Sequence, residues 1–383
     1  MHDGSHKLLW TWWLTLGVMG LLVIGIIVYP VTSRSPVWGA GAGHASAAAP
    51  ASSASASAAV PAAASGQTHT AAAGHAAPAV ASVARYSAPP QAPIEAVAPP
   101  YNPASEVDLV FTMDDRRVIE VAPGTYFEGW TFNGTVPGPI IRVRQGAKVN
   151  VTLVNEGRLP HSLDFHSART PISNYRNVAP GESFTWTYEA KVPGVYMYHC
   201  GTAPALQHIG NGMYGVMIVD ADPLLAPPDR EYVLLQSEFY YGPPQANGVM
   251  TGDLDKMQKI APDVVAFNGH QSQYRDHPLR AEPGELVRFH VVDAGPTMNS
   301  AFHIVGEIFE KVYVNGNPAP ENIDVGVQTV LVPVGSGATF DVRFGEAGEY
   351  LFVSHAFAQA AKGAVGVVRV GQPADGVGVN VDH

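Results

Sequence analysis

Two stretches of this chain pass through the same landmarks in the same order, and that repetition restricts the fold more than any other feature. The first carries Phe132-Asn133-Gly134, then Pro139-Ile140-Ile141-Arg142 and Gly146-Ala147-Lys148-Val149. The second carries Phe267-Asn268-Gly269, then Pro278-Leu279-Arg280 and Gly284-Glu285-Leu286-Val287. Each proceeds through an alternating run (Val149 to Leu153; Val287 to Val291) to a strand ending near a histidine, Gly194 to His199 and Gly348 to His355. Each closes on a short apolar strand, Gly215 to Val219 and Gly363 to Val370. Period-two strands broken by Gly and Pro build β-sandwiches, and the 39 glycines and 32 prolines of the 383 residues supply the breaks. The repeat therefore predicts an all-β chain with two sandwich domains in tandem, over residues 101–224 and 225–372, joined at the proline-rich stretch Asp222 to Arg230. Residues 373–383 read as a short tail.

The N-terminal region is different in kind. Leu8 to Tyr29 is uncharged and apolar and is closed by Pro30. As a helix it would span about 33 Å, enough for a bilayer core. It is longer than the apolar stretch of an ordinary cleaved leader, so residues 1–30 read as a membrane anchor with the rest of the chain outside the cell membrane; the alternative is a signal sequence cut near the small residues Gly39-Ala40-Gly41-Ala42. Residues 31–100 are dominated by Ala, Ser, Pro and Gly and offer too little apolar surface to offset the entropy of ordering, which predicts a disordered tether. Its histidines (His44, His69, His75) read as solvated linker residues. The net charge of −11 with only 14% charged residues excludes a basic nucleic-acid footprint.

Cys200 is the one cysteine, so it has no internal disulfide partner. It stands in Tyr198-His199-Cys200-Gly201, with His208 and Met213 following. A thiolate, imidazoles and a thioether at short spacing are the donor set of a mononuclear blue-copper site. Neighbouring side chains on a strand face opposite ways, so His199 and Cys200 should point apart. In Leu159 to His166 the same rule puts Asp164 and His166 on one face and His161 on the other. The candidates thus sort into an inner group, His161, Cys200, His208 and Met213, suited to electron transfer. An outer group of Asp164, His166 and His199 offers only nitrogen and oxygen and lacks a fourth donor. The second half has no cysteine but carries His303 and His355, read as echoing His161 and His199 in the repeat. On the residues alone they are either additional donors or core histidines left from duplication. His270, His277, His290 and His383 read as surface or packing residues.

At these residues the chain resembles the two-domain copper nitrite reductases, from about residue 105 to 370. The segments that carry the likeness are Leu159 to Ala168 (LPHSLDFHSA), Tyr198 to Tyr214 (YHCGTAPALQHIGNGMY), Ser300 to Tyr313 (SAFHIVGEIFEKVY) and Val353 to Val365 (VSHAFAQAAKGAV). The resemblance implies two tandem cupredoxin-like Greek-key β-sandwiches. It implies a type 1 copper on His161, Cys200, His208 and Met213, and a type 2 copper on His166, His199 and a neighbouring subunit's His355, one of each per chain. Asp164 and His303 would be the catalytic pair beside the second copper. It further implies a homotrimer and reduction of nitrite to nitric oxide with electrons from a cytochrome c or small cupredoxin, passing from Cys200 to His199. Val305 stands where a bulkier isoleucine is frequent in that family, and the anchor and tether are additions to its pattern. A membrane-tethered cupredoxin electron carrier is the first alternative. A small laccase-like multicopper oxidase is the second, but the chain has Gly201 where a His-Cys-His strand needs histidine and no His-x-His pair.

Overall fold

The computed structural model describes residues 94–372. The expected anchor, nearly all of the tether and the C-terminal tail lie outside the described residues. Among the described residues no helix is long and apolar enough to cross a membrane. All of them belong to one compact unit.

The first eight strands are β1 (Glu106–Ala122), β2 (Thr125–Phe132), β3 (Ile141–Arg144), β4 (Lys148–Asn155), β5 (Asp164–Phe165), β6 (Ser183–Glu189), β7 (Gly194–His199) and β8 (Tyr214–Asp220). They form one sheet ordered β2-β1-β4-β6 and a second ordered β3-β8-β7-β5. The next eleven are β9 (Arg230–Phe239), β10 (Val264–Phe267), β11 (Leu279–Ala281), β12 (Leu286–Gly295), β13 (Ser300–Ile304), β14 (Lys311–Val314), β15 (Ile323–Asp324), β16 (Thr329–Val332), β17 (Gly337–Arg343), β18 (Gly348–Ser354) and β19 (Val365–Val370). They form sheets ordered β10-β9-β12-β17-β14-β15 and β11-β19-β18-β13-β16. Four short helices fill loops: α1 (Ala205–Gly210), α2 (Leu254–Gln258), α3 (Gln273–Asp276) and α4 (Phe357–Ala360).

The alternation in the sequence becomes two cores. In β4, Val149, Val151 and Leu153 are buried while Lys148 faces water, and they pack with Phe111, Met113, Phe165 and Tyr198. In β12, Val287, Phe289 and Val291 pack with Phe302, Phe340 and Phe352. A third apolar cluster lies between the sandwiches. Val195, Met197, Val216 and Ile218 from the first meet Val233, Leu235, Phe239 and Val292 from the second. Strands β8 and β9 are therefore covered on both faces, so burial runs unbroken from Tyr214 to Val219 and from Tyr232 to Phe239 instead of alternating.

A polar clamp crosses the same junction. Arg142 donates to Asp220 from Nε and Nη2 at 2.8 Å each, to Glu231 Oε2 at 2.6 Å and to the Pro99 carbonyl at 2.8 Å. Glu231 Oε1 lies 2.8 Å from His290 Nε2, and His290 Nδ1 lies 2.8 Å from Thr339 Oγ1. His290 is thus part of the packing between the two sandwiches.

Strand register corrects one expectation about the repeat. Asp164 pairs with His199 in β5–β7, and His303 pairs with Val353 in β13–β18. His199 faces Tyr214, and Val353 faces Val365. His303 therefore occupies the position of Asp164, not of His161, and Val353 occupies that of His199. His355 follows the position of Cys200 rather than echoing His199. The reason is that register is fixed by inward-facing residues, here Tyr198 over Gly215 and Phe352 over Gly366, and not by histidine spacing. A Cβ on either glycine would run into that ring.

Candidate metal centres

The first cluster sits at one end of the first sandwich. His161, on an isolated bridge to Val178, and His208, in α1, present their Nδ1 atoms to each other at 3.2 Å. Cys200 Sγ lies 3.2 Å from His208 Nδ1. Met213 is fully buried, and its backbone is tied to the others: Cys200 N–H donates to the Met213 carbonyl at 3.0 Å, and Met213 N–H to the His208 carbonyl at 3.1 Å. His161 and Cys200 are fully buried and His208 nearly so. Burial pushes the Cys200 thiol up and lowers both imidazoles, His208 to about 4, so the nitrogens stay neutral donors. Neutral imidazole nitrogens and a soft sulfur converging in a dry pocket are an unfavourable arrangement on their own and a good one for a soft cation, which favours the thiolate.

Across the backbone lies the second cluster. The His166 and His199 Nε2 atoms are 3.0 Å apart, and Asp164 Oδ2 is 4.0 Å from His199 Nε2. Each imidazole has its other nitrogen fixed by a carbonyl. His199 Nδ1 donates to the Cys200 carbonyl at 2.9 Å, and His166 Nδ1 to the Gly335 carbonyl at 2.7 Å. A carbonyl oxygen only accepts, so both protons sit on Nδ1 and two Nε2 lone pairs face each other. With no proton between them, that contact fits a shared cation. Gly335 comes from the second sandwich, and its φ of +77° turns its carbonyl in a way a side-chain-bearing residue rarely permits.

His303 and His355 join neither cluster. Their rings lie together, centroids 5.3 Å apart, against a cavity of about 450 Å3 that Val305, Gln271 and Phe357 also line. His303 Nδ1 donates to the Gln328 carbonyl at 2.7 Å, leaving Nε2 available. Exposed apolar side chains in the same half include Ile308, Val325, Leu331 and Phe357.

The sequence reading missed several residues around these clusters. Asp115, 1% exposed, lies with Oδ2 3.4 Å from His161 Nε2 and accepts the N–H groups of Arg158 and Leu159 at 2.8 and 2.7 Å. Burial alone would raise its carboxyl, but those N–H groups and the Arg158 side chain hold it below its usual range. Trp130 stacks edge-on against His208 at 4.8 Å. Strand parity contained the signal for Asp115, since Phe111, Met113 and Asp115 form one inward row. Gln328 acts through its backbone carbonyl and leaves no mark on residue type, while at Gly335 the glycine marks a turn but not the imidazole that its carbonyl meets.

The comparisons agree with this geometry. The multicopper oxidase family pattern matches residues 116–223. A copper-containing nitrite reductase of Neisseria meningitidis serogroup B is 38% identical over 271 residues, covering 69% of this chain and 67% of that one. Another from Neisseria gonorrhoeae is 38% identical over 262 residues, covering 67% of this chain and 66% of its own length, a little under two thirds. A solved copper nitrite reductase from Nitrosomonas europaea superposes with a TM-score of 0.65 at 36% identity, covering 70% of this chain and 95% of that one. The fold is mostly β and cupredoxin-like, and the chain belongs to the copper-containing nitrite reductases.

Proposed function

We propose that this protein reduces nitrite to nitric oxide and water, consuming one electron and two protons: NO2− + e− + 2H+ → NO + H2O. The observation that carries the reading is the single peptide link between His199 and Cys200, whose side chains belong to different donor clusters. His161, Cys200, His208 and Met213 would hold a type 1 copper. His166 and His199, with His355 from a second copy of the chain, would hold a type 2 copper, one of each per chain. Copper held by these residues would supply an electron-transfer centre and a Lewis-acidic redox centre able to bind an anion.

The chain's own residues do the rest. The carbonyls of Cys200 and Gly335 fix the imidazole tautomers of His199 and His166. Asp164 Oδ2, beside His199, and the Nε2 of a second copy's His303 would hold the two protons that go to the departing oxygen of nitrite. The three-donor outer cluster and the separate His303–His355 pair are each incomplete alone, which supports a homotrimer with its catalytic sites between chains. The two sandwiches are read as two domains, 101–224 and 225–372, the second completing a neighbour's site. A cytochrome c or small cupredoxin is the proposed donor. Leu8 to Tyr29 would anchor the enzyme on the outer or periplasmic side of the cell membrane, with 31–100 as its tether.

The test is nitrite-dependent nitric oxide formation by the full copper-loaded chain with a reduced donor. Two coppers per chain, a blue colour and a trimeric mass are expected. Asp164→Asn and His303→Ala should keep both coppers and lose most turnover. One copper per chain with no nitric oxide would leave a tethered electron carrier, and oxygen uptake with phenols would favour an oxidase.

A further inference from the structure

The pocket that holds the inner donors in the first sandwich has an unremarked counterpart in the second. Backbone hydrogen bonds identify it. Cys200 N–H donates to the Met213 carbonyl and Met213 N–H to the His208 carbonyl; Ser354 N–H donates to the Ala364 carbonyl at 3.1 Å and Ala364 N–H to the Gln359 carbonyl at 3.1 Å. Ser354, Ala364 and Gln359 thus stand where Cys200, Met213 and His208 stand. Counting back from the matched pair Asp164 and His303 puts Ser300 in the place of His161.

No metal donor set remains in this counterpart, but apart from Ala364 its residues are polar and are joined by hydrogen bonds. Ser354 Oγ donates to Gln359 Oε1 at 2.6 Å, and Gln236 Nε2 donates to the same oxygen at 3.1 Å. Ser300 Oγ donates to Gln236 Oε1 at 2.7 Å, and Gln359 Nε2 donates to the Asn299 carbonyl at 2.9 Å. Ser300, Ser354 and Gln236 are 0% exposed and Gln359 5%. Buried amides and hydroxyls that satisfy one another specify a single geometry, because each broken bond strands a buried polar group at a cost of about 1–3 kcal/mol.

The network ends on the outer-site histidines. Ser354 directly precedes His355, and its Oγ accepts the Ala301 N–H at 3.2 Å. His355 N–H donates to the Ala301 carbonyl at 2.7 Å. Ala301 lies two residues before His303 on β13, and Asn299, held by Gln359, lies just before that strand. Gln359 sits in α4, beside the Phe357 and Ala360 that line the His303–His355 cavity.

We infer that the Gln359–Ser354–Gln236–Ser300 network is a positioning device that sets His355 and His303 for the site they complete in a neighbouring copy. It occupies, with hydrogen bonds, the place that corresponds to the proposed type 1 copper of the first sandwich. The inference rests on the proposed role of His355 as the third imidazole of the type 2 site.

The test uses copper-loaded full-length protein as wild type, Gln359→Leu, Ser354→Ala and His355→Ala. Copper per chain, blue absorption, the EPR spectrum of the second copper and its loss to a competing chelator are measured for each. Gln359→Leu and Ser354→Ala should keep the blue absorption of the wild type. Their second copper should bind roughly tenfold more weakly, with altered EPR hyperfine splitting, as outer-shell losses do. Wild-type affinity and EPR in both variants would overturn the inference. Loss of the blue copper in parallel would overturn it too, since the network would then support the whole fold rather than two histidines. A second copper retained in His355→Ala would instead sink the reading of the outer site on which the inference rests.

Discussion

Asp115 and Glu238 end the inward rows of β1 and β9, and each accepts two backbone N–H groups from the loop entering the next pocket position. For Asp115 these come from Arg158 and Leu159, three and two residues before His161. For Glu238 they come from Thr297 and Met298, three and two residues before Ser300. The scaffold is the same, yet the chemistry diverges. Asp115 also meets Arg158 and His161, and its carboxyl is held below the usual range despite burial. Glu238 meets only hydroxyls and N–H groups, so burial dominates and pushes it up. One pocket has a carboxyl held below its usual range behind a set of soft donors; the other has a carboxyl pushed up by burial beside a closed hydrogen-bond network. The comparison teaches that this end of the sandwich is a preformed cup, and that a few side chains decide between gripping a metal and stiffening a strand.

The largest test rebuilds the first pocket in the second. Ser300→His, Ser354→Cys, Gln359→His and Ala364→Met together should install a second blue chromophore, roughly doubling the blue absorbance per chain if the donor set alone is decisive. A correctly folded, copper-loaded variant with no added blue band would break the equivalence of the two cups.

Next in size is the junction that holds the sandwiches together. Glu231 is partly buried, which would raise its carboxyl, but His290 and Arg142 bring it down to about 2 from an ordinary 4.5. A carboxylate with a depressed folded value favours the folded state at all pH above the unfolded value. That contribution fades as pH falls from about 4.5 towards 2. It amounts to about 3 kcal/mol. Denaturant melts of the metal-free protein should therefore lose stability across that window, and Glu231→Gln should flatten the loss.

Gly215 and Gly366 offer a matched pair of smaller effects. Gly215→Ala and Gly366→Ala each force a methyl against a buried ring, Tyr198 or Phe352, and each should destabilise by about 1–3 kcal/mol in thermal melts. Only Gly215→Ala should also perturb the blue spectrum, because Tyr198 lies two residues before Cys200. The smallest effect is expected at the carboxylates themselves. Asp115→Asn should weaken copper at the His161 cluster roughly tenfold in a chelator titration, whereas Glu238→Gln should leave that affinity unchanged.

How much of this was legible beforehand depends on what kind of group carries the information. The strands of the first sandwich, the inward rows and the sorting of His161, Cys200 and His208 from His166, His199 and Asp164 follow from period-two alternation, which is written in residue type. The equivalence of His303 with Asp164 was misread, because histidine spacing was allowed to stand for strand register. Gln359 and Ser354 were invisible: glutamine and serine are common, and only backbone pairing shows that they stand in the positions of a histidine and a cysteine.

The sequence by itself determined the tandem sandwiches and the adjacency of His199 and Cys200, since a covalent bond and a pleat leave two neighbouring strand side chains no choice but opposite faces. Tertiary structure alone decided which carbonyl each imidazole meets and that His355 stands apart from His166 within one chain. Those outcomes depend on loops and registers meeting across sheets, where distant backbone atoms supply the partner and residue identity says nothing of it.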